Sequence, residues 1–368
     1  MKKKIYSLFM VLILYAVFIF NDVNAAAYNI SNNDIRLFYE EIISDEIEEY
    51  VDCYADIYLY SLGVTDEYDV LSPFIIFDVD NYNNQEEIYY FPLAIDEDIE
   101  YIMSAFYVGE EINASISKEY AVVLEDINYY QNDNCILYSV EDSLVAVDEK
   151  NNQKIYSEEN YERVVISEFY NYDYAEKLGY IADNYRKNGV KEASDTDTAG
   201  TGFSTKNTYE YILDMNNRTA PQGSENICWA ATIATTVNYL RNTTNVTAHK
   251  VCDVINHSYR EGSLSDMVDA MSYYRLINYG ITYNQISFDR VGTNIRSEYP
   301  IMMWGNSSNG GLAHVVTIIG YSTYGGIQLI KFYNSATDDI ESASYNSAGT
   351  RYTMGNATYT WVNTLCAK

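Results

Sequence analysis

The chain has 368 residues, of which 48% are hydrophobic and 21% charged, a balance that is typical of folded proteins and leaves room for two domains. Its formal net charge at pH 7 is −30. Nucleic acids and anionic membranes both require a basic surface on the protein that binds them, so this charge argues against either as a partner.

The N-terminus predicts an export signal. Lys2, Lys3 and Lys4 precede an apolar run over residues 5–20, and small residues follow as far as Ala25. The run is short for a bilayer span, which needs about 20 apolar residues. We therefore expect cleavage after Ala25 and a mature protein that is secreted, extracellular and free of the membrane. An uncleaved membrane anchor is the alternative.

Acidic side chains are concentrated in the first part of the mature chain. Residues 26–206 carry 40 acidic and 10 basic side chains, whereas residues 207–368 carry 12 and 10. Short apolar runs in the acidic part predict an antiparallel sheet, and longer stretches with apolar residues three or four apart predict helices, which together indicate an α+β module. The predicted strands are residues 74–80, 88–95, 135–140 and 144–147, and the predicted helices are residues 34–62 and 158–188.

A change in composition separates this part from the rest. Residues 191–206 are rich in Ser, Thr, Gly, Ala and Asp and nearly free of large apolar residues, as in flexible linkers that proteases cut. The sequence thus predicts a signal peptide over residues 1–25, an acidic segment over residues 26–190, this linker, and a C-terminal domain over residues 207–368.

Cys228 stands at the predicted start of a helix in the C-terminal domain. Apolar residues at helical spacing follow it as far as Leu240, and Ser224, Glu225 and Asn226 offer N-terminal caps just ahead. The unpaired N–H groups of a first helical turn favour an anion and lower the pKa of a thiol there, toward the nucleophilic thiolate. A buried packing role is the alternative.

The chain has only three histidines that could serve as a base. His249 and His257 fall in a predicted second helix, where partly exposed surface positions are the simpler interpretation. His314 opens the run HVVTIIGY, which predicts a buried strand whose first side chain emerges at a rim. His314 is therefore the candidate base for Cys228, and a core position is its alternative.

Two amide side chains complete a candidate catalytic site. Residues 327–337 predict a second strand that ends at Asn334 and returns, antiparallel, to the level of His314. The amide oxygen of Asn334 can there accept the imidazole N–H and aim the other ring nitrogen at the sulfur, although a turn position is the alternative for Asn334 alone. Gln222 lies six residues before Cys228 and can bind an oxyanion together with the backbone N–H of that cysteine.

In this order, Gln222, Cys228-Trp229, His314 and Asn334-Ser335 resemble the papain-like cysteine peptidases, which use a Cys-His-Asn triad. With an export signal and a long acidic segment, the chain is similar to the secreted bacterial staphopain-like and streptopain-like zymogens. For the papain-like domain we expect the helix that bears the cysteine, further helices near residues 247–258 and 264–277, and an antiparallel half-barrel from about residue 285 to the C-terminus.

The sequence departs from the family pattern at two places. Ala336 stands where the family often has a tryptophan that shields the histidine and the asparagine, so either Trp304 or Trp361 supplies that shield or the shield is absent. Asn226-Ile227 stands where the family has Gly-Ser or Gly-Ala before the cysteine. Both differences concern the approach of the substrate more than the triad.

Five cysteines in an exported chain leave one thiol over. One arrangement pairs Cys53 with Cys135 and Cys252 with Cys366 and leaves Cys228 free, but other pairings, and five reduced thiols, stay open. The chain has no Cys-x-x-Cys or His-Glu-x-x-His spacing, so we expect no metal and no cofactor.

These features predict a secreted cysteine endopeptidase made as a zymogen. The acidic segment would act as an intramolecular inhibitor until the linker is cut, for example after Lys206. The expected partners are protein or peptide substrates, with a dedicated inhibitor protein as a further one. A cell-wall peptide amidase or an acyl transferase on the same fold is one alternative, and a non-catalytic secreted binding protein is another.

Overall fold

A computed structural model describes residues 43–78, 87–130, 136–140, 143–147, 153–157, 209–324, 326–355 and 357–368. The predicted signal peptide, the linker and the predicted helix over residues 158–188 lie outside the described residues. Everything described belongs to one unit, Ile43–Val165 together with Ala193–Lys368.

The acidic segment folds as helices packed on strands. Its elements are α1 (Asp45–Ser61), β1 (Asp69–Val70), β2 (Ile76–Asp78), β3 (Ile88–Ile95), β4 (Asp98–Val108), β5 (Glu111–Ser117), α2 (Ala121–Asp126), β6 (Ile136–Val140), β7 (Ser143–Val147) and β8 (Gln153–Ser157). Helix α1 begins where the Ser44 side chain accepts a hydrogen bond from the N–H of Ile47. All four predicted strands are present, but β2 pairs with β6 in parallel rather than antiparallel orientation.

The C-terminal part begins with helices and ends with strands. Its elements are β9 (Tyr209–Ile212), α3 (Cys228–Arg241), α4 (Ala248–Val254), α5 (Leu264–Tyr273), β10 (Tyr279–Thr282), α6 (Phe288–Arg296), β11 (Ile301–Ser307), β12 (His314–Tyr324), β13 (Ile327–Asn334), β14 (Asp339–Ser344), β15 (Arg351–Met354) and β16 (Ala357–Ala367). The prediction that the half-barrel begins at about residue 285 was wrong, because α6 occupies residues 288–296 and precedes strand β11. Ser287 caps that helix, and its Val291 and Ile295 are buried in the core.

One twelve-stranded sheet runs through both parts of the described chain. The order of its main path is β1-β3-β4-β5-β14-β13-β12-β11-β16-β10, with β9 paired to β12 and β15 paired to β16. The two parts join where β5 pairs antiparallel with β14, at Ile116 with Ser342 and at Ser115 with Ala343. Helices and a mainly antiparallel sheet agree with the predicted α+β class.

Buried polar contacts bridge the two parts along a contact that we call the seam. The hydroxyl oxygens of Ser104, Ser115 and Thr353 form a buried triangle with sides of 2.9, 2.6 and 2.8 Å. Nearby, the N–H of Gly355 donates to the Glu119 carboxylate at 2.8 Å. Hydroxyl and carboxylate groups can exchange these partners for water, so the seam can open at a lower cost than an apolar core of the same size.

Candidate active site

A cleft of about 1010 Å³ opens beside the N-terminal end of α3. Cys228 at the start of this helix and His314 at the start of β12 both line the cleft, and Gln222 lines it from the loop before the helix. Lys118 and Glu119 of the acidic segment line the same cleft. The tertiary structure thus gathers three predicted site residues at one surface and adds two residues that the sequence did not indicate.

Burial along α3 holds Cys228 in place. Every residue from 228 to 238 is buried, and Thr232 Oγ1 donates to the backbone carbonyl of Val315 at 3.0 Å. Val315 follows His314 directly in β12, so this bond ties the first turns of the helix to the strand that carries the candidate base. The relative position of thiol and imidazole is therefore set by packed secondary structure and not by a loop.

The start of α3 differs from the prediction. Its N-cap is Ile227, whose side chain makes no capping hydrogen bond, so the predicted caps Ser224, Glu225 and Asn226 were wrong. The Glu225 carboxylate instead lies 3.3 Å from Nε2 of His249. Ile227 is larger than the Ser or Ala that the family has at this position. Its side chain is fully buried in the hydrophobic core that surrounds α3 and does not line the cleft.

Burial also determines the protonation state of the Cys228 thiol. The residue is only 8% exposed, and this burial raises the pKa of the thiol to about 11, against an opposing effect of backbone groups at Val315, Trp229 and Cys228 itself. The expected lowering of this pKa at a helix N-terminus is therefore wrong for the intact chain. The thiol is protonated at neutral pH.

His314 and Asn334 meet at the ends of neighbouring antiparallel strands. Strands β12 and β13 pair from Tyr324 with Ile327 to Thr317 with Tyr333, which brings the start of one beside the end of the other, as predicted. His314 Nε2 lies 2.8 Å from Oδ1 of Asn334. Because an amide oxygen only accepts, Nε2 carries the proton, and Nδ1 is left as the basic nitrogen.

Burial keeps this imidazole neutral. It lowers the pKa of His314 to about 4, against a smaller opposite effect of the hydrogen bond to Asn334. A neutral imidazole can accept a proton from a thiol, so the ring is in the form that a general base requires over the physiological pH range.

Gln222 is oriented by the turn that follows Asn334. Its backbone N–H donates to the carbonyl of Ser335 at 3.1 Å, and its side-chain Oε1 accepts from Ser335 Oγ at 3.1 Å. Because Oε1 already accepts from Ser335, the Nε2 hydrogens of Gln222 can donate to a group bound in the cleft. The N–H of Cys228 is also available, because the first N–H groups of a helix have no intrahelical acceptor.

Two tyrosines pack against the imidazole. The ring of Tyr359 lies edge-on to His314 with centroids 5.9 Å apart, and the ring of Tyr352 lies at 6.5 Å. Trp304 lines the cleft, and the indole N–H of Trp361 is engaged with Thr364 Oγ1 at 2.9 Å. The shield that the sequence suggested for a tryptophan is thus formed by tyrosines of β15 and β16, which no sequence signal had connected with the site.

A buried carboxyl group lies behind Asn334. Asn334 Nδ2 donates to Oε1 of Glu341 at 2.9 Å, and Thr337 Oγ1 donates to the same oxygen at 2.8 Å. Glu341 is 2% exposed, and burial, followed by the charge of Glu119, raises its pKa to about 8. No pattern in the sequence indicated this residue, because nothing in the run DDIESAS distinguishes a buried glutamate from an exposed one.

The other histidines lie away from the cleft. His249 contacts Glu225, and His257 packs edge-on against Trp229 with centroids 5.1 Å apart, its Nε2 lying 3.8 Å from Asp266. The described part of the chain contains no group of three or more His, Cys, Asp or Glu side chains that could hold a metal ion. None of the helices within the same residues is long and apolar enough to cross a membrane.

The suggested disulfide between Cys252 and Cys366 is not formed. Both residues are buried free thiols, the first in the core on the helix side and the second in the core of the sheet. These are different clusters, so packing separates the two sulfurs. Cys53 is a free thiol as well, and its suggested partner Cys135 lies outside the described residues.

One comparison with known proteins covers the part of the chain that holds this site. Residues 210–347 match the family described as papain-like cysteine protease AvrRpt2. The matched range contains the candidate site from Gln222 to Glu341 and ends before β15. No curated protein matched the chain. The family match supports a place in the papain-like superfamily, and the chain is a cysteine peptidase.

Proposed function

We propose that the chain is a secreted cysteine endopeptidase made as a zymogen, in which Cys228 is the nucleophile, His314 the base, Asn334 the orienting residue and Gln222 an oxyanion donor. The observation that carries this proposal is the 2.8 Å contact between His314 Nε2 and Asn334 Oδ1. It leaves Nδ1 as the only proton acceptor of a ring that shares its cleft with the Cys228 thiol.

In the proposed reaction, His314 Nδ1 takes the proton of the Cys228 thiol as the sulfur bonds to the carbonyl carbon of the peptide. The carbonyl oxygen becomes an oxyanion, which accepts hydrogen bonds from Gln222 Nε2 and the N–H of Cys228. The imidazolium then gives its proton to the leaving amine and the C–N bond breaks. Water hydrolyses the resulting thioester with His314 as base. Donors of this kind contribute about 3 to 4 kcal/mol each to the transition state.

Latency of the intact chain is supported by the acidic segment. Lys118 and Glu119 line the cleft, and Lys118 Nζ lies 3.7 Å from the carboxylate of Asp339, across the seam. Cys228 and His314 are only 8% and 4% exposed, which limits the access of a substrate to both side chains. We propose that cutting the linker, for example after Lys206, releases the acidic segment and opens the site. Secretion is proposed on the export signal alone.

The test is the mass of the chain after exposure to an irreversible epoxide inhibitor of cysteine peptidases. The full chain is treated both intact and after limited cleavage by an added protease, beside Cys228→Ala and His314→Ala. Cys252→Ala is the matched control, because it also removes one buried free thiol. We expect one adduct, on Cys228, that depends on His314 and is stronger after cleavage.

Absence of an adduct on a folded, cleaved chain would remove the proposed mechanism. Digestion of casein beside digestion of purified cell wall then separates an endopeptidase from a wall amidase. If neither substrate is cut by protein that forms the adduct, an acyl transferase becomes the better assignment.

A further inference from the structure

A buried carboxyl group in β14 has no part in the reaction described above. Glu341 is two residues beyond Asp339, which pairs with Asn334 across the hairpin of β13 and β14. Since β13 lies between β14 and β12, Asn334 lies between Glu341 and His314. The three side chains form a continuous line of hydrogen bonds from the cleft into the interior.

The ends of the Asn334 amide have different partners along this line. Its Oδ1 accepts from His314 Nε2 at 2.8 Å and from the N–H of Ala336 at 3.1 Å. Its Nδ2 donates to Glu341 Oε1 at 2.9 Å. A rotated amide would point N–H groups at two donors and its oxygen at a carboxyl oxygen, so three favourable contacts would become unfavourable.

Glu341 is well suited to enforce this orientation. Its Oε1 accepts from both Asn334 and Thr337, which leaves Oε2 to carry the proton of the neutral acid. The group therefore offers Asn334 an acceptor without placing a full negative charge in the interior. Carboxyl groups are almost never fully buried, because burying them costs free energy that a packed apolar side chain does not.

We propose that Glu341 is a positioning residue of the peptidase, which locks the Asn334 amide with its oxygen toward His314 and thereby keeps the imidazole proton on Nε2. The proposal rests on the proposed function, because it assigns to His314 the role of base. It predicts that replacing Glu341 impairs the reaction more than it impairs the fold.

The experiment compares three variants with the unmodified full chain. Glu341→Leu and Glu341→Met remove the acceptor while keeping an apolar side chain of similar size, and either one suffices if only one of them folds. Glu341→Gln retains an oxygen that can accept from Asn334. The matched control is Ser342→Ala, which removes the buried hydroxyl of the next residue, and that hydroxyl donates to the carbonyl of Ile330 at 3.2 Å rather than to the Asn334 amide.

The first readout is nitrogen NMR of chains labelled at histidine. With three histidines in the sequence, His314→Gln assigns the signals of His314. We expect the Nε2–H tautomer in the unmodified chain, in Glu341→Gln and in Ser342→Ala. In Glu341→Leu or Glu341→Met we expect a mixture of tautomers and faster exchange of the imidazole proton. A residue that only fills space would not change the tautomer.

The second readout is peptide hydrolysis after the same activating cleavage. We expect kcat to fall about tenfold in the Leu and Met variants with KM unchanged, because general base catalysis contributes about 10²- to 10⁴-fold and loses part of this when the base is poorly oriented. A folded Leu or Met variant with an unchanged tautomer and an unchanged kcat would overturn the positioning role. If His314→Gln itself keeps full activity, the proposed function fails instead.

Discussion

Replacement of Thr353 by valine should loosen the contact between the acidic segment and the rest of the chain without changing the size of the side chain. Thr353 lies in β15 and is 4% exposed. Its Oγ1 lies 2.6 Å from the hydroxyl of Ser104 and 2.8 Å from that of Ser115, both in the acidic segment. Valine keeps the shape and removes both contacts.

The size of the effect follows from these two contacts. A net intramolecular hydrogen bond contributes about 1 kcal/mol, and a buried hydroxyl that loses its partner costs about 1 to 3 kcal/mol. Ser104 and Ser115 still hold one another at 2.9 Å, so neither is left alone. We therefore expect a total of about 1 to 3 kcal/mol, which increases the population with an open seam by about 5- to 150-fold, since 1.4 kcal/mol is a factor of ten.

The assay is the rate at which iodoacetamide labels Cys228 in the full chain, located by peptide mapping. Thr364→Val is the matched control, because the Thr364 side chain is also buried and its hydroxyl makes two hydrogen bonds, to the carbonyl of Asn284 at 2.7 Å and from the indole N–H of Trp361 at 2.9 Å, within the C-terminal part alone. Both variants should have an unfolding midpoint at a lower urea concentration than the unmodified chain. Only Thr353→Val should show faster labelling of Cys228 in the absence of urea. Equal labelling rates in the two variants would refute the idea that the acidic segment separates from the C-terminal part without unfolding of the whole chain.

Three further outcomes are expected. Asn334→Ala should lower kcat/KM by about 5- to 150-fold, because an imidazole N–H loses its acceptor at a cost of about 1 to 3 kcal/mol; unchanged hydrolysis of a peptide would contradict the orienting role. In the intact chain, labelling of Cys228 should rise about tenfold per pH unit from pH 7 to 10, since its pKa is about 11 and the thiolate is the reactive form; a plateau below pH 8 would contradict this. The pKa of His314 is about 4 in the folded chain and 6.5 in the unfolded chain. The contribution of His314 to the free energy of unfolding is therefore complete above pH 6.5 and is lost as the pH falls toward 4, because the unfolded chain then binds a proton that the folded chain does not. His314→Gln should accordingly reduce the difference between the urea midpoints measured at pH 7 and at pH 4.5. An equal difference in both proteins would argue against a buried neutral imidazole.

Local patterns in the sequence were sufficient to predict the central hairpin. His314 opens a β-branched run, Asn334 ends the next one, and a short turn separates them, so antiparallel pairing brings the two side chains to one level. Helix α3 was likewise predicted from apolar spacing after Cys228, and the family match supports the papain-like assignment that these residues suggested.

Properties that depend on distant chain segments could not be predicted in this way. Tyr352 and Tyr359 reach the imidazole only because β16 pairs with β11 and β15 pairs with β16. The helix N-terminus suggested a lowered thiol pKa, but burial by surrounding elements outweighs that local effect and raises it. The suggested pairing of Cys252 with Cys366 rested only on the number of cysteines in the chain. Packing places the two residues in separate hydrophobic cores.

The sequence by itself determined which residue types are available for chemistry and which local elements carry them, because helix and strand periodicity extend over only a few residues. Only the tertiary structure decided that the acidic segment adds strands to the same sheet at Ser115 and Ile116, and that Glu341 is buried behind Asn334. Both depend on contacts between residues far apart along the chain, and no local pattern encodes the free energy of such contacts.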